Sequence, residues 1–212
     1  MQKGKVRNPW IVLLLTVVTF GLYLIYWVII NPIEIKKAFH VEKIQRRIKL
    51  IFVFMIWGAG LILVYTIFVL IQTVNSNFEN IFLYSTIITL VMVFIGAFFF
   101  YFLCSAAAMA QKEAKIEPFE IITVFGVYLV NLLIEAGSDL KILSSKFFKG
   151  LPNNIENPQS FDTNSLNDLM PILNMAGLVN LLSTLLFVFF IFLLQKQFNR
   201  LWEEGIFPDS VS

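Results

Sequence analysis

Charge is scarce in this chain. Asp, Glu, Lys and Arg make up 14% of its 212 residues, while 58% are hydrophobic and the mean hydropathy is +0.79. A soluble domain carries about 25% charged residues. A water-facing surface can hardly be built from so few, so the composition reads as an integral membrane protein. Cysteine occurs once, as Cys104, which excludes an intramolecular disulfide. Histidine also occurs once, as His40, so no Cys/His metal cluster can form. No N-x-S/T sequon is present. The formal net charge of +2 is too small to suggest a nucleic-acid partner. Gly-rich phosphate loops, H-E-x-x-H and G-x-S-x-G are all missing, so the sequence offers no catalytic residue, no metal site and no cofactor.

Apolar residues supply what charge does not. Five apolar segments stand out: Trp10–Ile30, Leu50–Gln72, Ile81–Leu103, Phe119–Ile134 and Ile172–Leu194. A bilayer core needs about 20 helical residues. The second, third and fifth segments meet that length without an internal charge, which argues against an ion-coupled pump. The fourth is short and carries Glu120 and Glu135 at its ends. The 23 phenylalanines read as lipid-facing filler. The basic start followed by about 21 apolar residues is too long for a cleaved signal peptide. We therefore expect the segment to be retained.

Between the segments, residues 73–80 read as a tight polar turn. Residues 105–117 favour helix until Pro118 stops it. Residues 138–149 have the spacing of a short interfacial helix, and residues 151–165 are irregular loop. Asn167 or Asp168 is expected to cap the last helix, with Pro171 in its first turn. The whole reads as a single membrane domain, with a central pair of helices at 73–135 and an extracytoplasmic connection at 136–171.

Basic residues favour the cytoplasmic side. Lys3, Lys5 and Arg7 precede the first segment, and Lys36, Lys37, Lys43, Arg46, Arg47 and Lys49 follow it. A full span would put these two flanks on opposite sides. A segment that dips in and returns puts both inside, leaving Lys141, Lys146 and Lys149 as the outside basic residues. Thr19-Phe20-Gly21 offers a place to turn, because Gly21 can take φ > 0 and Thr19 can cap the following helix. The expected class is all-α: a multi-pass protein of the cell membrane with four transmembrane helices and an N-terminal re-entrant or kinked hairpin. Both termini are expected in the cytoplasm. Five full spans is the alternative. Ile35, Phe39, Ile44 and Ile48 fall on one side of a helix whose other positions are basic, a pattern suited to anionic lipid.

The run R-N-P-W-I-V-L-L-L-T-V-V-T-F-G-L-Y-L-I-Y-W, followed by Glu34, resembles a family of small prokaryotic membrane proteins known as domain of unknown function 4234. Its T-x-G-x-Y-x-x-Y-W pattern is met here by Thr19, Gly21, Tyr23, Tyr26 and Trp27. The ending F-N-R-L-W-E-E, with Asn199 and Trp202, is similar to the family's N-x-L-W-E. The resemblance covers about the first 70 residues and the last ten, and it implies membership without an activity. F-G-L-Y-L at 20–24 is echoed by F-G-V-Y-L at 125–129, which would make the fourth segment a second hairpin if the two were true repeats.

The expected function is non-enzymatic, acting by helix packing or partner contact at the inner leaflet, with a further copy of the chain or another membrane protein as partner. Small residues at 58–60, 96–97 and 105–110 allow close helix contact. A small-solute channel or permease is the alternative, motivated by Asn131, Asn174, Asn180, Ser183 and Thr184. A membrane-embedded enzyme is third.

Overall fold

A computed structural model describes residues 4–19, 21–74, 78–143 and 163–207. Its elements are all helical: α1 (Pro9–Val18), α2 (Leu22–Ala38), α3 (Glu42–Val74), α4 (Phe78–Glu113), α5 (Ile121–Leu143) and α6 (Thr163–Glu204). Three of them, over Glu42–Gln72, Ile87–Glu113 and Gly177–Glu204, are long and apolar enough to cross a membrane. Two shorter apolar stretches, Pro9–Val18 and Ile121–Ile134, accompany them. The protein is a helical membrane protein.

The first apolar segment is broken where the sequence places the break. Asn8 caps α1 through a 2.9 Å bond from the Trp10 N–H, and Pro9 follows at the first position, where its missing donor costs nothing. The Thr19 hydroxyl donates to the Leu15 carbonyl and accepts from the Tyr23 N–H at 2.9 Å, so one side chain closes α1 and caps α2. Gly21 sits at φ +88°, a left-handed conformation that side chains resist.

The basic stretch after α2 is two pieces and not the single helix its spacing suggests. α2 ends at Ala38, Phe39 is extended, and α3 starts at Glu42. The Gln45 side chain donates to the carbonyls of Lys36 and Phe39, at 3.0 and 2.7 Å, so it satisfies the end of α2 and fixes the bend. Lys36 and Lys37 therefore belong to the last turn of α2, and Lys43, Arg46, Arg47 and Lys49 to the start of α3. Ile35, Phe39, Ile44 and Ile48 do share one environment, but all four are buried within the protein.

Two other boundaries differ from expectation. α4 stops at Glu113, ahead of Pro118, because Lys115 adopts φ 60° and the N–H groups of Ile116 and Lys115 bond to Gln111 and Lys112. That is a Schellman closure, which satisfies the last carbonyls without help from proline. α6 begins at Thr163 and runs through Pro171, so the expected cap at Asn167 or Asp168 is not used. One proline removes one backbone donor, a loss that a 42-residue helix absorbs. α5 is continuous through Gly126, with no second break. The expected turn at 73–80 is narrowed by α3 and α4, and its residues 75–77 lie outside the described residues. Of the expected interfacial helix, residues 138–143 continue α5 and residues 144–149 lie outside the described residues, as does the loop as far as 162.

The chain divides into two compact units. The first is Met1–Trp57, Ile95–Leu129 and Phe187–Ser212. Its core is aromatic: Phe100, Tyr128 and Phe190 pack with ring centres 4.6 to 5.1 Å apart. Beside them the small residues Cys104 to Ala108 and Ala110 are buried, which lets α4 pack closely. Gly96 abuts the Tyr128 hydroxyl and leaves no room for a methyl group. The second unit is Gly58–Phe94 and Val130–Leu186. Within it Phe68 packs edge-on to Tyr84, and the buried Ser183 hydroxyl donates to Asn131 at 2.7 Å. Many of its described apolar side chains are exposed, as a lipid-facing surface requires, among them Ile62, Leu63, Val64 and Leu178.

Candidate functional site: a polar clasp in the first unit

Residues 4–8 approach α1 without helical structure and so have backbone groups to satisfy. They do so on α6. The Arg7 N–H donates to Asn199 Oδ1 at 3.0 Å, and Asn199 Nδ2 donates back to the Arg7 carbonyl at 2.7 Å. One turn earlier on α6, Gln195 Nε2 donates to the same Asn199 oxygen at 2.7 Å. Gln195 Oε1 in turn accepts from the Trp27 indole N–H on α2.

The Arg7 side chain turns towards α2. Its guanidinium donates from Nη2 to Glu34 Oε1 at 2.6 Å and from Nη1 to Oε2 at 3.0 Å, a forked pair that fits the planar carboxylate. Nη1 also reaches Asn31 Oδ1 at 3.3 Å, while Asn31 Nδ2 donates to the Trp27 carbonyl at 2.7 Å. The Lys5 N–H donates to Glu34 at 3.2 Å. Trp27, Asn31 and Gln195 are fully buried, and the Arg7 and Glu34 side chains are little exposed. Burial by itself lowers the Arg7 pKa, but the hydrogen bond to Glu34 and its negative charge outweigh it. The guanidinium is held above its ordinary value and stays charged.

This network sets the shape of the hairpin. Arg7, just before α1, and Glu34, near the end of α2, are ion-paired, so the two arms start and finish at one level. The ten residues of α1 rise about 15 Å, half of a bilayer core of about 30 Å. The outward face of the hairpin is apolar, with Trp10, Leu14, Val17, Leu22 and Ile25 all exposed.

Of the motif residues, Trp27, Glu34 and Asn199 meet in the clasp although they come from opposite ends of the chain. Thr19 and Gly21 form the turn. Tyr23 and Tyr26 lie on α2 with ring centres 5.6 Å apart, outside the network, and Tyr26 is half exposed. Trp202 is fully buried in a neighbouring aromatic stack with Phe39 and Phe207. Gly4 presses on its ring so closely that a methyl group there would overlap the indole. Among the described residues the Trp202 Nε1 has no hydrogen-bond partner.

Four contributors escaped sequence reasoning: Arg7, Asn31, Gln195 and Gln111. Arg7 was counted there as a topological charge. Asn31 and Gln195 each sit four residues from a motif residue, Trp27 and Asn199, the helical spacing that signals a shared face. Gln111 makes a second amide tie. Its Nε2 donates to the Gln197 carbonyl at 3.0 Å and its Oε1 accepts from the Phe119 N–H at 3.0 Å, joining α4, α6 and the turn before α5. Among the described residues, no group of three or more His, Cys, Asp or Glu side chains could hold a metal ion. The clasp has a carboxylate committed to a guanidinium and no nucleophile, so its chemistry is that of a fastening. No family model, no curated protein and no solved structure matches the chain.

Proposed function

We propose that this is a non-enzymatic, multi-pass protein of the cell membrane that works at the inner leaflet, where a re-entrant hairpin of α1 and α2 is fastened to the end of α6. The observation that carries the reading is the Arg7–Glu34 pair, which returns the hairpin to its starting level after a first arm too short to cross. In this reading α3, α4, α5 and α6 are the four spans and both termini are cytoplasmic. α5 is the fourth, through its shorter apolar stretch Ile121–Ile134.

The basic residues Lys36, Lys37, Lys43, Arg46, Arg47 and Lys49 then lie where anionic lipid is found, each contributing about 1 kcal/mol near such a surface. All but Arg47 expose their side chains. We also propose membership of domain of unknown function 4234. Support comes from the convergence of Trp27, Glu34 and Asn199 in one network.

Sidedness of labelling tests the reading. Single cysteines replace Lys5 and Lys43 in a Cys104→Ser background, and a membrane-impermeant maleimide is added to one side at a time. Both sites are expected to react from the cytoplasm. Reaction of the Lys5 site from the outside alone overturns the re-entrant hairpin. Exchange at residues 36–49 is expected to slow in nanodiscs containing phosphatidylglycerol relative to phosphatidylcholine. Equal exchange overturns the anionic-lipid contact.

A solute pathway has weaker support. Asn131 and Ser183, two of the polar residues that motivate it, are buried and bonded to one another, and the Thr184 hydroxyl bonds to its own helix at Asn180.

A further inference from the structure

An opening in the first unit lies apart from the clasp, between the end of α4 and the start of α5. It is an open, mostly apolar groove of about 670 Å³, within the range of about 300–1,000 Å³ found for small-molecule sites. Along α4 it runs from Lys112 to Tyr101, eleven residues or about 16 Å. At its Tyr101 end the Tyr101 and Phe125 rings lie 5.6 Å apart. Met109, Phe119 and Ile122 form its walls, and Ile122 is 85% exposed.

The mouth is charged on both sides. Lys112 stands on the α4 wall and Glu120 on the α5 wall, both exposed, with no ion pair between them. The Thr123 hydroxyl donates to Glu120 Oε2 at 3.1 Å, which fixes the carboxylate and leaves Oε1 open. A third charge stands at the Tyr101 end of the groove, away from this mouth: the Arg47 guanidinium lies 5.9 Å from the Tyr101 ring centre and has no carboxylate partner among the described residues.

We propose that this groove holds phosphatidylethanolamine, with an acyl chain along the apolar walls, the phosphate at Lys112 and the primary ammonium on Glu120. An apolar slot that opens at a polar rim has the polarity of a lipid. A cation facing a carboxylate complements a headgroup carrying one phosphate and one ammonium. The ammonium specifies the lipid, because it donates charge-assisted hydrogen bonds to Glu120 that a quaternary choline cannot make. Lys112 would favour an anionic headgroup if Glu120 took no part, so phosphatidylglycerol is the decisive competitor. The inference needs a membrane protein but neither the re-entrant hairpin nor the basic surface around Lys43.

Native mass spectrometry of the full-length protein, titrated with phosphatidylethanolamine, phosphatidylcholine or phosphatidylglycerol of matched chains, tests it. Phosphatidylethanolamine is expected to bind about fivefold tighter than the other two. Glu120→Gln should bring phosphatidylethanolamine to the phosphatidylcholine level. Lys112→Gln should weaken both of those lipids alike. Met109→Trp should fill the groove and weaken all three, with melting temperature reporting that the fold is kept; if it unfolds, Ile122→Trp at the exposed wall makes the same test. Equal binding of phosphatidylethanolamine and phosphatidylcholine by the wild type overturns the proposal. So does tighter binding of phosphatidylglycerol, a preference that survives Glu120→Gln, or retention by a folded groove-filling variant. Failure of the Lys5 labelling test would leave all these outcomes unchanged, so the two readings fall separately.

Discussion

Arg7 grips Glu34 with two hydrogen bonds, 2.6 Å from Nη2 and 3.0 Å from Nη1, across 27 positions of chain. Both side chains are nearly buried, so each needs the other for its charge to be satisfied. Glu34→Ala leaves the guanidinium with neutral partners alone and is expected to destabilise the protein by about 3 kcal/mol. In a double-mutant cycle Arg7→Ala adds much less on top of it, since the partner is already gone. Thermal unfolding in detergent measures both. Additive effects would mean that the pair does not hold the hairpin.

The same pair predicts a flat pH response from its basic member. The folded pKa of Arg7 is raised, so its contribution is complete at all pH values below the unfolded pKa and is lost only as pH rises through the still higher folded value. The gap in melting temperature between wild type and Arg7→Lys is therefore expected to change little between pH 6 and pH 9. A gap that closes within that window would place the titration on another group.

Trp27 and Gln195 carry the third prediction about the clasp. The indole N–H donates to a fully buried amide oxygen. Trp27→Phe keeps the ring contact with Phe198 but leaves that oxygen without its donor, at an expected cost of about 1–3 kcal/mol. Tyr26→Phe, one residue away and half exposed, should change the melting temperature very little. If the two substitutions cost the same, Trp27 contributes ring packing and not its N–H.

The sequence made the class of fold legible because hydropathy and length are local. The break at Thr19-Phe20-Gly21 was legible for the same reason, since a glycine and a capping hydroxyl act on their immediate neighbours. What it could not show was pairing across the chain. Nothing near Arg7 indicates that it will meet Glu34 on one side and Asn199, 192 positions on, at its backbone. The bend after Ala38 escaped for a related reason. Helical spacing continues across it, and the side chain that enforces it, Gln45, acts from the next helix. Pro118 misled because a stronger stop, the left-handed Lys115, comes first. The groove at Lys112 and Glu120 is a property of two helix ends brought together and has no one-dimensional signature.

Gly4 and Trp202 test whether the chain ends are held together by fit. A methyl group on Gly4 would lie 2.3 Å from Trp202 Cε2, and that ring is buried in a three-ring cluster with Phe39 and Phe207. Gly4→Ala is expected to cost about 1–3 kcal/mol and to red-shift tryptophan emission as the stack opens. Gly4→Ala in a Trp202→Leu background should cost less than the sum of the two, because the obstacle is smaller. Strict additivity would show that Gly4 does not bear on the ring.

Two glycines with empty surroundings should respond in opposite directions. Neither Gly21 nor Gly60 has any atom within 4 Å of where a Cβ would stand, so sterics with neighbours do not enter. What differs is the backbone. Gly21 holds φ +88° at the turn between α1 and α2, where an alanine pays about 1–2 kcal/mol for left-handed geometry. Gly60 lies within α3 in helical conformation, where alanine loses less chain entropy and gains about 0.5–1 kcal/mol. Gly21→Ala should therefore lower the melting temperature and Gly60→Ala raise it. Parallel shifts would remove Gly21 as the pivot. If Gly21→Ala is harmless, the hairpin turns on the Thr19 cap instead, and Thr19→Val, which removes the hydroxyl bonded to both Leu15 and Tyr23, becomes the substitution that opens it.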